Sequence, residues 1–418
     1  GVQAVSKQLD PLRLAICILL AGCQAAIAVN ASCQDTQAPT RAGDRLLSST
    51  PYLNQLLVDR EIPLIGGAWG AEIFVDAPLN GEPEGAQITL RRAKLSYARR
   101  ISSDWRFKVT GDYTRGGGLE ASDSYVSYSG WDRTLLTLGI TDPPFSLESI
   151  SQSAALTFME RGLPVAALAE RRSGSVTALR RNKNSILNAS LVLFNVSQDN
   201  LREDGQGIIL HYVHSPIRIA HAESVHLGAS LSYRFNADES STQFRSRPEI
   251  ATVNDYYVDT GPIDDARNVT RLGLEASQVA GRFSWQSEIL AARVERSGMD
   301  AVNFWGAYVF ASWFLTDDSR NYNFGAGDYE KVHVNAPLLT GGKGAFECAV
   351  RASRVDLTDE SVIGGKEKNI SFGLNWYVNR HIRLMTNVIK VLDVDRPGSE
   401  YHGLDPLIFS LRAQWVLD

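Results

Sequence analysis

The residues of this 418-residue chain that carry chemistry are spaced in a way that argues against catalysis. Of seven histidines, His211 and His214 stand three apart and His221 and His226 five apart, and neither pair has a Glu or Cys set placed to complete a zinc site. The sequence holds neither a Gly-x-Ser-x-Gly nucleophile elbow nor a Gly-x-x-x-x-Gly-Lys-Ser/Thr phosphate loop, and Gly116-Gly-Gly118 reads as a flexible external loop. The four cysteines, Cys17, Cys23, Cys33 and Cys348, form no CxxC, so no disulfide framework or metal site is indicated. No cofactor is expected, and the chain is expected not to be an enzyme. Its 42 Lys+Arg against 47 Asp+Glu give a net charge of −5, which sets aside a basic nucleic-acid binder. What remains is a large set of charged side chains whose direction depends on the elements that carry them.

Those elements begin after an export signal. Lys7 and Arg13 precede a nine-residue apolar run, Leu14-Ala-Ile-Cys-Ile-Leu-Leu-Ala-Gly22. A bilayer-spanning helix needs about 20 such residues, so the run is a signal-peptide core and not an anchor. Two processing readings stay open: cleavage after Ala26-Ile27-Ala28, or a lipoprotein box, Leu20-Ala21-Gly22-Cys23, ending at a lipidated Cys23. The expected organisation is a signal peptide over 1–28, a periplasmic N-terminal segment over 29–63, and one barrel domain over 64–418. No other apolar run is long, so a polytopic helical membrane protein is excluded although 44% of the residues are hydrophobic.

From Gly66 onward apolar and polar side chains alternate, the period-2 mark of strands with two unlike faces. Ile370, Phe372, Leu374 and Trp376 share one such face. Sixteen candidates follow: 66–75, 90–99, 106–113, 122–129, 134–141, 173–181, 185–195, 207–215, 224–235, 269–279, 282–293, 303–316, 345–356, 369–378, 382–391 and 406–417, with 248–256 a doubtful seventeenth. Short links such as Ala280-Gly281 and Asn379-Arg380 alternate with long polar ones, the pattern of short periplasmic turns and longer external loops in an outer-membrane barrel. One connection, 317–342, is long where a short turn is due. Aromatics such as Tyr97, Trp105, Tyr128, Trp131, Trp313, Trp376 and Trp415 fall near strand ends, where the two membrane interfaces would lie. The fold class expected is an all-β, transmembrane antiparallel β-barrel of about 16 strands.

Three stretches resemble the phosphate-selective porin O and P family: Leu90-Arg-Arg-Ala-Lys-Leu-Ser-Tyr97 with Asp104-Trp-Arg-Phe-Lys108; Pro144-Phe-Ser-Leu-Glu148 with Leu156-Thr-Phe-Met-Glu-Arg161; and Gly373-Leu-Asn-Trp-Tyr-Val-Asn379. Weaker likenesses are Arg245-Ser-Arg-Pro248, Ala311-Ser-Trp-Phe-Leu-Thr316 and Ser353-Arg-Val-Asp-Leu357. The resemblance implies a bacterial outer-membrane trimer of 16-stranded barrels, in contact with membrane lipid and lipopolysaccharide, each with its own pore for small inorganic anions. It further implies that Arg91 and Arg92 lie at the constriction, Arg161 beside an inward-folded loop, Arg245 and Arg247 on an arginine ladder, and Lys331 on a periplasmic segment folded into the barrel. A guanidinium fork suits phosphate oxygens. Arg99, Arg100, Arg171, Arg172, Arg180 and Arg181, near predicted turns, are expected at the rim or paired with acids. Adjacent residues on a regular strand face opposite ways, so Arg91 and Arg92 can both reach the lumen only if the strand bends or is covered.

Three departures remove positive charge from the path: Ser149 where the family's phosphate porins carry a lysine, Glu249 in place of a third ladder arginine, and Glu72 in a first strand without the expected arginine. The expectation is thus an anion-preferring porin, with phosphate or pyrophosphate as candidate solutes. The alternatives are an outer-membrane barrel hydrolase using an unrecognised Ser and His, and a secreted soluble β protein such as an adhesin or lectin.

Overall fold

The computed structural model describes residues 67–79, 88–113, 118–196, 205–235 and 241–417. The signal-peptide and 29–63 expectations, with Cys17, Cys23 and Cys33, lie outside the described residues. Sixteen long strands form one antiparallel sheet: β1 Ala68–Pro78, β2 Thr89–Arg100, β3 Trp105–Tyr113, β4 Leu119–Trp131, β5 Thr134–Thr141, β6 Ser173–Arg181, β7 Ser185–Asn195, β8 Gln206–His214, β9 Glu223–Phe235, β10 Ala266–Ala280, β11 Phe283–Arg296, β12 Met299–Phe314, β13 Ala345–Asp359, β14 Val362–Tyr377, β15 Ile382–Asp395 and β16 Leu407–Leu417. Each pairs with its neighbours in chain order, and a three-residue strand, Arg218–Ala220, flanks the turn between β8 and β9. The sheet closes where β1 pairs with β16 from Ala71↔Leu417 to Pro78↔Ser410. Closure satisfies every edge, as a lipid environment requires.

The outward face is apolar. Leu138, Leu274 and Phe372 are 55%, 59% and 55% exposed, and such residues recur around the barrel. A soluble protein would bury a band of this kind; a transmembrane barrel presents it outward. At the end where β1 begins and β16 finishes an aromatic girdle forms, with Trp69 against Tyr97, Trp105 against Tyr128, Phe283 against Trp313, and Phe346 against Trp376. Amphipathic rings at one height mark a bilayer interface.

Two connections differ from the sequence expectation. β11–β12 and β13–β14 are joined by two-residue turns, 297–298 and 360–361, where longer external loops were expected. The ladder continues because Val294 and Val302, both inward and buried, still pair across it. Gly298 takes the left-handed φ of 72° that the tight turn requires, and Gly281 does the same with 59° between β10 and β11. The doubtful strand at 248–256 is not one. Arg245–Ser246 pairs with Val258–Asp259 and Thr242 with Ile263, and 248–256 runs between them as loop.

Two segments fill much of the lumen. The first, 142–172, joins β5 to β6 and carries short helices α1 Leu147–Ile150 and α2 Leu163–Leu168. Its Phe145, Phe158, Leu163 and Leu168 are buried in one cluster with Val192, Ile209, Phe304 and Val355 of the inner wall. An external loop would leave these side chains in water, and burying each contributes roughly 1.5–3 kcal/mol. The second, 315–344, is the overlong connection between β12 and β13. It folds into a hairpin, Asn321–Asn323 against Asp328–Glu330, whose Tyr322 and Tyr329 pack with Leu147 and Val279.

Candidate functional site

Between the inserted loop and the wall of β1–β4 lies a cavity of about 350 Å³, followed by a second of about 210 Å³; Glu72, Lys94, Asp123 and Gln152 line both. The larger is bordered by Arg91, Arg92, Arg161, Arg245 and Arg247, and the smaller by Lys331. The structure thus brings five of the six predicted residues to one space and places the sixth at the next.

Arg91 and Arg92 both reach the lumen because β2 carries a bulge. Phe74 pairs with Arg92 and Val75 with Leu90, which leaves Arg91 as the extra residue. A bulge re-aims one side chain without ending the ladder. Arg91 meets Glu160 of the loop through a bidentate pair at 2.8 and 2.9 Å. Arg92 bonds the Ser153 hydroxyl and lies 3.8 Å from Asp112. Arg161 binds the loop itself, donating to the carbonyls of Glu148 at 3.1 Å and Ser149 at 2.9 Å. Arg245 and Arg247 sit over the same ring, Tyr256, at 3.9 and 4.3 Å. Burial lowers the Lys331 ammonium to about 8, with the Glu72 carboxylate opposing that shift.

Arg172 meets the expectation of an acidic partner, whereas a place at the rim holds for neither Arg171 nor Arg172. Arg172 pairs with Asp142 at 3.2 Å, yet both arginines line the larger cavity, because they end the inserted loop and not an exposed turn. Arg99, Arg100 and Arg180 are exposed near the turns, as expected. Glu249 does not bring a bare negative charge to the path. Its carboxylate is fully buried, 3.0 Å from Arg351, and accepts from the hydroxyls of Ser353 and Ser371. Those contacts offset the roughly 1–3 kcal/mol cost of its left-handed φ of 57°. Glu72, in the first strand, is the register partner of Lys94.

Sequence reasoning missed the wall arginines that hold the loop. Arg351 reaches Glu148 at 3.5 Å and the Glu160 carbonyl at 3.0 Å, and lies over the Phe158 ring. Arg383 donates to the carbonyls of Leu156 at 2.7 Å and Thr157 at 3.2 Å. Arg412 binds the Met159 carbonyl and bridges Asp76 at 2.6 Å and Glu160 at 2.5 Å. All three occupy inward positions of their strands, a signal the alternation does carry. On the opposite wall Glu275 accepts from His211 at 2.6 Å, from His226 at 2.8 Å and from the backbone of Leu147 at 2.7 Å, while His226 also contacts the Tyr322 hydroxyl. The histidines therefore dock both inserted segments. No three-residue metal set occurs among the described residues.

Eight cationic and nine acidic side chains line the larger cavity. Partners behind the wall extend the pairing: Arg234 and Arg271 engage Glu170, Arg351 engages Glu249 and Glu148, and Arg412 engages Glu160 and Asp76. Burial, reinforced by Glu330, raises the Asp328 carboxyl well above the usual range and favours its neutral form. The charge met inside the cavity is therefore set by these pairings and not by the chain's net charge.

The model of the phosphate-selective porin O and P family matches residues 68–417. The chain belongs to that family. It is 24% identical over 338 residues to Porin O of Pseudomonas aeruginosa, covering 72% of this chain and 75% of that protein. An uncharacterized protein of Caulobacter vibrioides is 28% identical over 298 residues, covering 68% of this chain and 57% of the relative, so the chain spans less than two thirds of that relative's length. Among solved structures, the anion-selective porin from Comamonas acidovorans superposes with a TM-score of 0.50 at 13% identity, over 84% of this chain and 99% of that one. The outer-membrane channel DcaP of Acinetobacter baumannii gives 0.51 at 9% identity, over 84% and 97%. These likenesses establish the fold. The porin O and P member described here is a bacterial outer-membrane β-barrel channel.

Proposed function

We propose that the channel prefers anions, with phosphate or pyrophosphate as candidate solutes, and that selectivity lies where the inserted loop faces Arg91 and Arg92. The observation carrying this reading is the clustering of five predicted arginines on one cavity, with Glu160, Glu170 and Glu249 among its acids engaged by arginines behind the wall. A row of moderate sites lets an anion shed part of its hydration without being trapped. Arg92 is the residue best placed to meet it, with Arg161, Arg245, Arg247 and, beyond the constriction, Lys331 as further contacts.

The working form in this reading is a homotrimer seated among lipid and lipopolysaccharide, exported by a signal peptide over 1–28, with 29–63 on the periplasmic side. Membership of a porin family, together with the outward apolar band, supports a channel over a hydrolase or a soluble adhesin. Planar-bilayer recording of the purified protein in chloride, phosphate and a salt with a bulky anion tests the proposal. Reversal potentials favouring anions, with phosphate blocking chloride current, are expected; a cation preference would refute it.

A further inference from the structure

The Arg91 guanidinium fork, which faces the lumen, is already occupied. Glu160 presents both carboxylate oxygens to Nε and Nη2 of Arg91, the same planar two-point match that a phosphate would make. The carboxylate is anchored from behind by Arg412, itself held by Asp76, so that Asp76, Arg412, Glu160 and Arg91 form one chain of alternating charge with no net charge. Arg92, one residue on, is placed differently: its nearest carboxylate, Asp112, is 3.8 Å away. Arg91 and Glu160 are both partly open to the lumen, with side-chain exposures of 27% and 21%, whereas Arg412 and Asp76 are buried.

We propose that Glu160 is a specificity-determining residue, a built-in competing ligand that occupies Arg91 and that an oxyanion must displace to engage both arginines. The inference rests on the anion-pore reading above. Chloride has no pair of oxygens with which to compete for a planar fork, so it passes under the field of Arg92 while the Arg91–Glu160 pair stays closed. A phosphate can exchange with the carboxylate, but the exchange lowers its net affinity and so keeps it mobile. Burial alone would raise the Glu160 carboxyl, yet Arg91 and Arg412 hold it well below the usual carboxylate range, so the competitor stays ionised at neutral pH.

Glu160→Gln keeps the volume and removes the competing charge. Expected in planar bilayers is at least a tenfold fall in the phosphate concentration that half-blocks chloride current, with a rise in anion-to-cation permeability ratio and an unchanged polyethylene glycol exclusion limit. Glu160→Asp, which keeps the charge but cannot span the fork as well, should fall between the two. The gain must vanish in Glu160→Gln/Arg91→Gln. An unchanged or higher blocking concentration in Glu160→Gln, or a gain that persists without Arg91, overturns the proposal. A cation-selective wild type would defeat the anion-pore reading itself; an anion-selective wild type with an unresponsive Gln variant defeats only the role of Glu160.

Discussion

Arg351→Met should unlatch the inserted loop while leaving the barrel intact. The Arg351 side chain is fully buried and lies 3.5 Å from Glu148 and 3.0 Å from Glu249, carboxylates that are 4% and 0% exposed. Glu148 is already pushed up by burial, with Arg351 the main charge opposing that rise. Removing one partner of a buried ion pair costs about 3–5 kcal/mol, because the remaining charge must protonate or find water. At about 1.4 kcal/mol per factor of ten, the docked-to-undocked ratio of the loop falls by two to four powers of ten. Strand pairing does not pass through this side chain, so heat-modifiable migration should persist. Single-channel conductance and the polyethylene glycol exclusion limit should both rise, and ion selectivity should drop. Adding Glu148→Gln and Glu249→Gln removes the stranded carboxylates and should restore most of the original conductance. A folded Arg351→Met pore with wild-type conductance and selectivity would refute the latch, as would a triple variant no better than the single one.

Three further outcomes are expected. Arg92→Ala should lower the anion-to-cation permeability ratio severalfold in bilayer recordings, and unchanged selectivity would remove it from the constriction. Lys331 is charged below its value of about 8 and neutral above it, so anion preference should decline between about pH 7 and 9; Lys331→Met should abolish that step, and a step of equal size in the variant would assign it elsewhere. Tyr256→Leu removes the ring beneath Arg245 and Arg247, a loss of about 0.5–1 kcal/mol per exposed cation–π contact, and should weaken chloride conductance at low salt. Tyr256→Phe should retain wild-type conductance, and equal losses in both would point to the hydroxyl instead.

The barrel was legible because alternation is a local property: each of the sixteen candidate segments overlaps an observed strand. Strand ends were less so. β14 begins at Val362 and not at 369, since Gly364, Gly365 and a register shift near Asp356 interrupt the pattern without ending the ladder. The arginines Arg91 and Arg92 could be named by resemblance, but the bulge that lets both face inward depends on a partner strand and leaves no mark in β2 itself. Arg351, Arg383 and Arg412 stood in plain view on inward faces. Their partners did not, because the carbonyls they hold come from a loop more than 180 residues away in sequence. His211 and His226 show the same limit: chain spacing says nothing of two strands that bring both rings to Glu275.

The seam of the barrel bears on assembly. Asp76 and Arg412 are direct register partners, joining β1 to the last strand across 336 residues, and the same guanidinium grips Met159 and Glu160 of the loop. A slip of two residues would set Arg412 opposite Phe74 or Pro78 and deprive both the seam and the loop of their shared clamp. Closing the cylinder and seating the inserted loop therefore share one side chain. A copy that closes out of register would also fail to seat its inserted loop, so a proofreading step that senses seam quality would keep open, unplugged barrels out of the membrane without ever testing what passes through them.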